Sequence, residues 1–205
     1  ARVSLWISSK TVDQQAVMTV PDLEHHELPA VGLNWRSPWK FISGIRESMQ
    51  KVRKQMKIDP PQAVLAMGGF TAVAPFFVGR KYGAATFLHE SNAVAGRANR
   101  FLSRWADEVF VGFDQAKKSF RNKCLIDTGT PVRQQFRETK MEETRRHLGF
   151  ELDKPLVLIL GGSQGARGVN RLVTEALRGI HKLQVLHLSG AHDLDDVRNA
   201  YAERQ

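Results

Sequence analysis

The sequence predicts an α/β fold built on parallel sheets, and three observations predict it. Short apolar runs alternate with longer amphipathic stretches along the whole chain, the rhythm of strand, helix, strand. The run Leu156-Val157-Leu158-Ile159-Leu160 is apolar at every position, as a parallel strand buried on both faces is. Two such runs end in paired glycines, Gly161-Gly162 and Gly68-Gly69, where a strand turns tightly toward a helix.

The elements follow in order. Val3 to Ile7 opens the chain as a strand, and further strands are expected at 24–28, 62–66, 84–88, 107–111, 123–126, 155–160 and 183–188. Helices are expected at 38–57, 71–81, 94–104, 114–119, 141–148, 165–180 and 193–203. Pro38 suits the first turn of the long helix that follows it. Thr71 is placed to cap the second helix and Ser163 the one after the last glycine turn. Right-handed crossovers then gather the strand ends, and the loops after them, along one edge of each sheet.

A boundary falls in the charged stretch between about 128 and 154, entered through the turn Thr128-Gly129-Thr130-Pro131-Val132. The division assigned is 1–132 and 133–205. The second unit then holds two strands and two helices, which expose both sheet edges and bury little, so it is expected to continue beyond Gln205. The chain opens directly inside a strand and does not begin with Met, so its N-terminus is expected to be incomplete.

Composition narrows the class. The chain has 205 residues, 42% of them hydrophobic, with a net charge of +9. Such a basic balance implies an acidic partner: phosphorylated ligands, an anionic membrane surface or nucleic acid. No nucleic-acid motif accompanies the charge, and none is assigned as a partner. No apolar run approaches the length of about 18 residues that a membrane span needs. The single cysteine, Cys124, is expected to be a small buried or half-buried residue.

The glycine turns carry the chemistry. Backbone amides at Gly162, Gln164 and Gly165, with Ser163, are arranged either as an anion site at a helix N-terminus or as a plain strand-to-helix turn. A P-loop is excluded, because Ala166-Arg167 stands where Lys-Ser or Lys-Thr would be needed. The G-x-G-x-x-G dinucleotide spacing is not matched either. Gly68, Gly69, Phe70 and Thr71 repeat the same logic in the first unit. Turns in two α/β units can face each other across a ligand cleft.

Three further segments stand out. His89-Glu90-Ser91-Asn92 follows a strand end, where His89 and Glu90 could exchange protons or orient a hydroxyl and Asn92 could bond a sugar, or where Glu90, Ser91 and Asn92 cap a helix near 94. Arg133 leaves a loop made rigid by Pro131 and either pairs with a phosphate, bridges the two expected domains or is solvated. Trp35, Trp39, Lys40, Phe41, Ile42, Ile45 and Arg46 mix aromatic, aliphatic and basic residues. That pattern fits an interfacial helix on anionic lipid, or an ordinary packed helix with a basic outer face.

Taken together, Gly68-Gly69-Phe70, the run from His89 to Gly96, Gly129-Thr130-Pro131-Val132-Arg133 and the run from Gly161 to Arg167 resemble the MurG family. These are the peripheral membrane glycosyltransferases of bacterial peptidoglycan synthesis. The resemblance covers essentially the whole chain. It implies a GT-B architecture, two Rossmann-like domains with the second truncated here. It also implies inverting transfer of N-acetylglucosamine from UDP-N-acetylglucosamine to lipid I, giving lipid II, without an essential metal or cofactor, at the cytoplasmic face of the inner membrane. By the same resemblance the first unit is the acceptor and membrane side and the second the donor side. Asn92, Arg133 and Ser163 match donor-contacting positions. Gly68, Gly69 and Phe70 match the acceptor-side loop, His89 and Glu90 line the cleft, and the segment from Trp39 to Arg46 matches the membrane-facing patch.

The chain departs from the family at several points. Phe70 stands where the family often has Tyr, and Ser91 and Ala93 where Gln and Gly are usual. The family's N-terminal glycine loop with its proposed His base, and its later Glu and Gln residues, are not within these residues, so the 205-residue chain alone is expected to be inactive. The catalytic base is unassigned, with His89 and Glu90 as substitutes. Two rivals remain: a non-catalytic nucleotide-sugar-binding module and a UDP-sugar epimerase of the same architecture.

Overall fold

A computed structural model describes residues 2–20, 22–29, 38–121, 124–136, 140–162 and 164–202. The chain divides into two compact units, Ala1–Val132 and Arg133–Gln205.

The first unit opens with β1 (Ser4–Ser8), α1 (Thr11–Met18) and β2 (Glu24–Leu28), the two strands pairing in parallel with Ser4 opposite Glu24. The helix α1 was not among the expected elements. Its Val12 and Met18 stay exposed and only Val17 is buried, so it lacks the apolar stripe that announces a helix. The long α2 (Pro38–Ile58) follows. Ser48, Val52 and Met56 are buried on one face of it while Lys40, Arg46, Lys51, Arg53 and Lys57 stay exposed on the other.

A four-stranded parallel sheet completes the unit. Its order is β3 (Ala63–Ala66), β4 (Ala85–Glu90), β5 (Glu108–Val111), β6 (Leu125–Asp127). Between β3 and β4 lies α3 (Val73–Lys81), and between β4 and β5 lies α4 (Arg97–Leu102). The stretch expected as a helix at 114–119 is a 3-10 turn. Sequential strands are sheet neighbours throughout, so each strand end is followed by a loop on the same edge.

Two apolar clusters hold the unit together. One joins Phe76, Leu88, Leu102, Val109 and Val111 across α3, α4 and the sheet. The other joins Leu28, Val52, Met56, Ala74 and Val78, tying β2, α2 and α3. Helix α3 serves both, so it is the unit's central packing element. Cys124 is exposed at the entry to β6, contrary to the buried or half-buried place expected, and its carbonyl accepts from the Val109 N–H.

The second unit holds α5 (Met141–His147), β7 (Leu156–Leu160), α6 (Arg167–Ala176), β8 (Gln184–Leu188) and α7 (Leu194–Ala202). β7 and β8 pair in parallel with Leu156 opposite Gln184. Acidic Glu142 and Glu143 begin α5 and basic Arg145, Arg146 and His147 end it, which complements the helix dipole. Leu158, Leu160 and Leu188 are exposed on this sheet.

Phe76 is fully buried at the junction of α3 with the larger sheet. Phe76→Ala is expected to cost about 3–5 kcal/mol, read as a lower denaturant midpoint for the first unit. A loss under about 1 kcal/mol would show that α3 is not central to the packing.

Candidate functional site

The β3 end turns through Gly68 at φ +102° and Gly69 at φ +74°, conformations that side chains resist. A 3-10 turn, Phe70–Ala72, follows before α3 begins. Thr71 therefore lies inside that turn and does not cap the helix: the N-cap position is Ala72, with no side-chain cap. The Phe70 ring meets Phe41 of α2 edge-on, with centroids 5.3 Å apart.

At the end of β4 the chain becomes polar while still buried. His89 and Glu90 are only 3% and 2% exposed, so their polar atoms must find partners inside. The Glu90 carboxylate finds four donors. Its Oε1 accepts from the Asn92 N–H at 2.9 Å and from Asn92 Nδ2 at 2.7 Å. Its Oε2 accepts from the Gly96 N–H at 2.9 Å and from Asn99 Nδ2 at 3.0 Å. Burial pushes the Glu90 carboxyl up, but the Gly96 and Asn92 amides and the side chains of Asn92 and Asn99 together hold it below the usual carboxylate range.

Helix α4 begins later than expected, at Arg97, with Gly96 at the N-cap and no side-chain cap there. Glu90 takes over that task by accepting from the Gly96 N–H across the loop. Asn92 is exposed, and its amide nitrogen is turned inward onto Glu90, so its carbonyl oxygen points away from the carboxylate.

His89 ties a second loop to the same edge. Its Nε2 bonds the Gly129 carbonyl at 3.0 Å, and since a carbonyl only accepts, that nitrogen carries the proton. Nδ1 is then the acceptor for the Ser91 hydroxyl at 3.2 Å. The same loop packs closely at Gly112, where a Cβ would come 2.5 Å from Thr130 Oγ1 and 3.3 Å from the Glu90 carbonyl. The Thr128 N–H donates to the Val111 carbonyl at 3.1 Å. The chain leaves this anchored loop through Pro131 and Val132 to Arg133, which is exposed.

In the second unit β7 ends in the glycine turn. Gly162 and Gly165 have φ of +87° and +76°, and the Gly165 N–H closes the turn onto the Gly162 carbonyl at 3.1 Å. Ser163 lies outside the described residues. Helix α6 starts at Arg167, not at 165, and its N-cap is Ala166 with no side-chain cap. The turn itself uses the intervening residues. It packs directly on the turn after β8: a Cβ on Gly165 would collide with the Ser189 carbonyl, and one on Gly190 with that of Gln164.

Two buried polar residues missed in the sequence reading support these turns, Asn99 in α4 and Asn170 in α6, 2% and 3% exposed. Asn170 Nδ2 donates to the Ser189 carbonyl at 2.9 Å and to Asp193 at 3.0 Å. Its Oδ1 meets His187 Nε2 at 3.0 Å, and His187 Nδ1 meets the Tyr201 hydroxyl at 3.0 Å. Burial pushes the His187 imidazole down. The available signal was a polar residue on an otherwise core-facing helix position, where asparagine is a poor helix former.

The basic aromatic segment divides. Trp35 lies outside the described residues. Trp39 and Ile42 are 79% and 53% exposed beside exposed Lys40 and Arg46. Phe41 and Ile45 are half-buried against the unit. Among the described residues no group of three or more His, Cys, Asp or Glu is placed to hold a metal ion. No helix among them is long and apolar enough to cross a membrane.

Residues 1–111 match the glycosyltransferase family 28 N-terminal domain, and residues 156–205 match the glycosyltransferase family 28 C-terminal domain. Over 174 residues the chain is 34% identical to a Bacillus thuringiensis (strain Al Hakam) protein. That protein is named UDP-N-acetylglucosamine–N-acetylmuramyl-(pentapeptide) pyrophosphoryl-undecaprenol N-acetylglucosamine transferase 3. The alignment covers 84% of this chain and 48% of the relative, so the chain spans about half the length of the curated relatives it matches. Among solved structures, Acinetobacter baumannii MurG aligns with a TM-score of 0.61 at 24% identity, over 98% of this chain and 56% of that one. The UDP-N-acetylglucosamine 2-epimerase of Rickettsia bellii aligns at 0.52 and 9% identity, over 96% and 64%. Both likenesses show the shared α/β fold.

Glu90 generates a pH prediction. Its folded pKa is depressed, so its contribution is present above the ordinary carboxyl value, about 4.3, and is lost as pH falls through the folded value. Glu90→Gln turns one donor-accepting oxygen into a donor and is expected to cost about 1.5–3 kcal/mol at neutral pH. In denaturant melts across pH 2–7 its acid limb should be shallower than that of the wild type. Parallel limbs would show that the carboxylate is not held in its charged form.

Proposed function

The chain belongs to glycosyltransferase family 28 and, within it, to the MurG family, and from that premise we propose that it serves transfer of N-acetylglucosamine from UDP-N-acetylglucosamine to lipid I. The observation that carries this reading is that residues matching the N- and C-terminal domains of the family each present a glycine turn at the end of a parallel strand. A turn of that kind offers backbone N–H groups to a phosphate, with the helix behind it adding favourable partial charge.

The roles follow from what the reaction demands. In-line displacement at the anomeric carbon needs an oriented acceptor hydroxyl, a proton acceptor and a stabilised leaving diphosphate. In this reading the turn at Gly162, Gln164 and Gly165, with Ser163, meets the diphosphate of the donor, and Arg133 supplies a full positive charge. Asn92 presents its carbonyl oxygen to a sugar hydroxyl, because Glu90 holds its amide nitrogen. Gly68, Gly69, Phe70 and Thr71 shape the acceptor side. His89 and Glu90 act as positioning groups, since both ring nitrogens of one and both oxygens of the other are engaged in hydrogen bonds. The sequence identity of 34% lies with a transferase, whereas the epimerase shares 9%, which favours transfer over epimerisation.

Contact with an anionic lipid surface, at the cytoplasmic face of the inner membrane, belongs to the same proposal. The support is the N-terminal end of α2, where Trp39 and Ile42 stand exposed beside Lys40 and Arg46. Apolar side chains flanked by cations partition into the boundary of an anionic bilayer.

Two measurements test this. In a transfer assay with labelled UDP-N-acetylglucosamine and lipid I, the full-length gene product should form lipid II. Arg133→Ala in that product should lower turnover by roughly 10²-fold if it steadies the leaving diphosphate, and unchanged turnover would remove Arg133 from the site. In vesicle sedimentation, Trp39→Asp with Ile42→Asp should abolish binding to anionic vesicles while leaving the melting temperature within a few degrees, because both residues are exposed. Binding that survives the double substitution would place the lipid contact elsewhere.

A further inference from the structure

We propose that Asn99 and Asn170 are paired positioning residues, each using one side-chain amide to pin the ligand turn of its own unit. The proposal deepens the transferase reading and rests on it for what the turns bind.

The two residues share one local design. Each sits in the first turns of a helix that follows a glycine-bearing loop, in Gly96-Arg97-Ala98-Asn99 and in Gly165-Ala166-Arg167-Gly168-Val169-Asn170. Each is almost fully buried. Each divides its Nδ2 between a carbonyl at a strand end and a buried carboxylate. Asn99 donates to the His89 carbonyl at 3.1 Å and to Glu90 at 3.0 Å. Asn170 donates to the Ser189 carbonyl at 2.9 Å and to Asp193 at 3.0 Å.

What each bond pair holds is a turn the function needs. The Ser189 carbonyl that Asn170 grips is the group lying directly against Gly165, so the amide fixes the floor on which the β7 turn rests. In the first unit the Asn99 carboxamide lies beneath Gly68, where a Cβ would come 3.5 Å from Nδ2 and 3.8 Å from Oδ1. The same Asn99 amide steadies Glu90, and through it Asn92 and Gly96. The acceptor ends differ. Asn170 Oδ1 is occupied by His187, whereas Asn99 Oδ1 is buried and accepts no hydrogen bond among the described residues. Asn99 is thus oriented by what it donates to.

Asparagine is suited to this task. It places two N–H donors on a short, planar group, so one side chain can bridge a carbonyl and a carboxylate. Truncation to alanine removes one donor from a strand-end carbonyl and one from a buried carboxylate, which loosens the turns rather than merely weakening the helix.

The test is amide hydrogen exchange on the 205-residue chain, with UDP titration in parallel. Asn170→Ala should speed exchange at least tenfold at 161–166 and 189–193 and leave 63–96 unchanged, and Asn99→Ala should do the reverse, with its effect at 68–70 and 90–96. UDP affinity should fall at least tenfold in Asn170→Ala and less than threefold in Asn99→Ala. Unchanged exchange at the turns would overturn the proposal even where UDP binds. A wild-type chain that binds no UDP would instead defeat the donor reading, while exchange still decides positioning. Should either variant fail to fold, the wild type decides. The side-chain amide protons of Asn99 and Asn170 should be strongly protected in NMR exchange, and free exchange of either pair contradicts the role.

Discussion

A buried carboxylate cannot remain charged without donors, and that requirement shapes the sheet edge of the first unit at the end of β4. Glu90 ends β4 almost out of reach of solvent and is met by four hydrogen bonds from the loop and helix that follow. Each bond fixes a different piece: the Asn92 backbone, the Asn92 side chain, the start of α4 and the Asn99 amide. Removing the charge turns one of its two oxygens into a donor and leaves the N–H groups on that side without an acceptor in a low-dielectric setting, where such losses are costly. His89, one residue earlier, extends the same arrangement to the loop that carries the chain toward Arg133.

The second unit reaches a similar end by other means. There the glycine turn after β7 and the turn after β8 touch through backbone alone, with no room for a Cβ at Gly165 or Gly190. Asn170 and Asp193 lock that contact from below, and Arg167 joins Asp193 at 3.2 Å from the exposed side. Arg167 is largely exposed, so its ion pair adds little to stability by itself. The packing of glycine backbones makes the turn rigid, and rigid amides are what an anion site requires.

Much of the fold was legible in the sequence, for a physical reason. Short apolar runs bounded by turn residues announce strands, and β3, β7 and β8 fall within a residue of their expected places, although Leu65, Leu158, Leu160 and Leu188 stay exposed rather than buried on both faces. Helix starts were less legible. α4 and α6 begin at Arg97 and Arg167 because the loops before them spend residues on turning, and Gly96 and Ala166 occupy the cap positions where polar residues were expected. Helix α1 escaped because one buried side chain makes no periodic signal. The strand-end placement of Gly68, Gly69, His89, Glu90, Gly162 and Gly165 was readable from local pattern. The partners of Asn99 and Asn170 were not, because Glu90 and Ser189 are separated from them by stretches of chain that no local pattern spans.

In the proposed reading the β7 strand-end turn receives a nucleotide diphosphate on its backbone amides. The most direct measurement is a UDP titration of the isotopically labelled chain followed by amide NMR. The largest shifts should fall on Gly162, Gln164, Gly165 and the first residues of α6, with Arg133 responding as well. Shifts confined to the first unit, with the 161–167 amides unmoved at saturation, would contradict it.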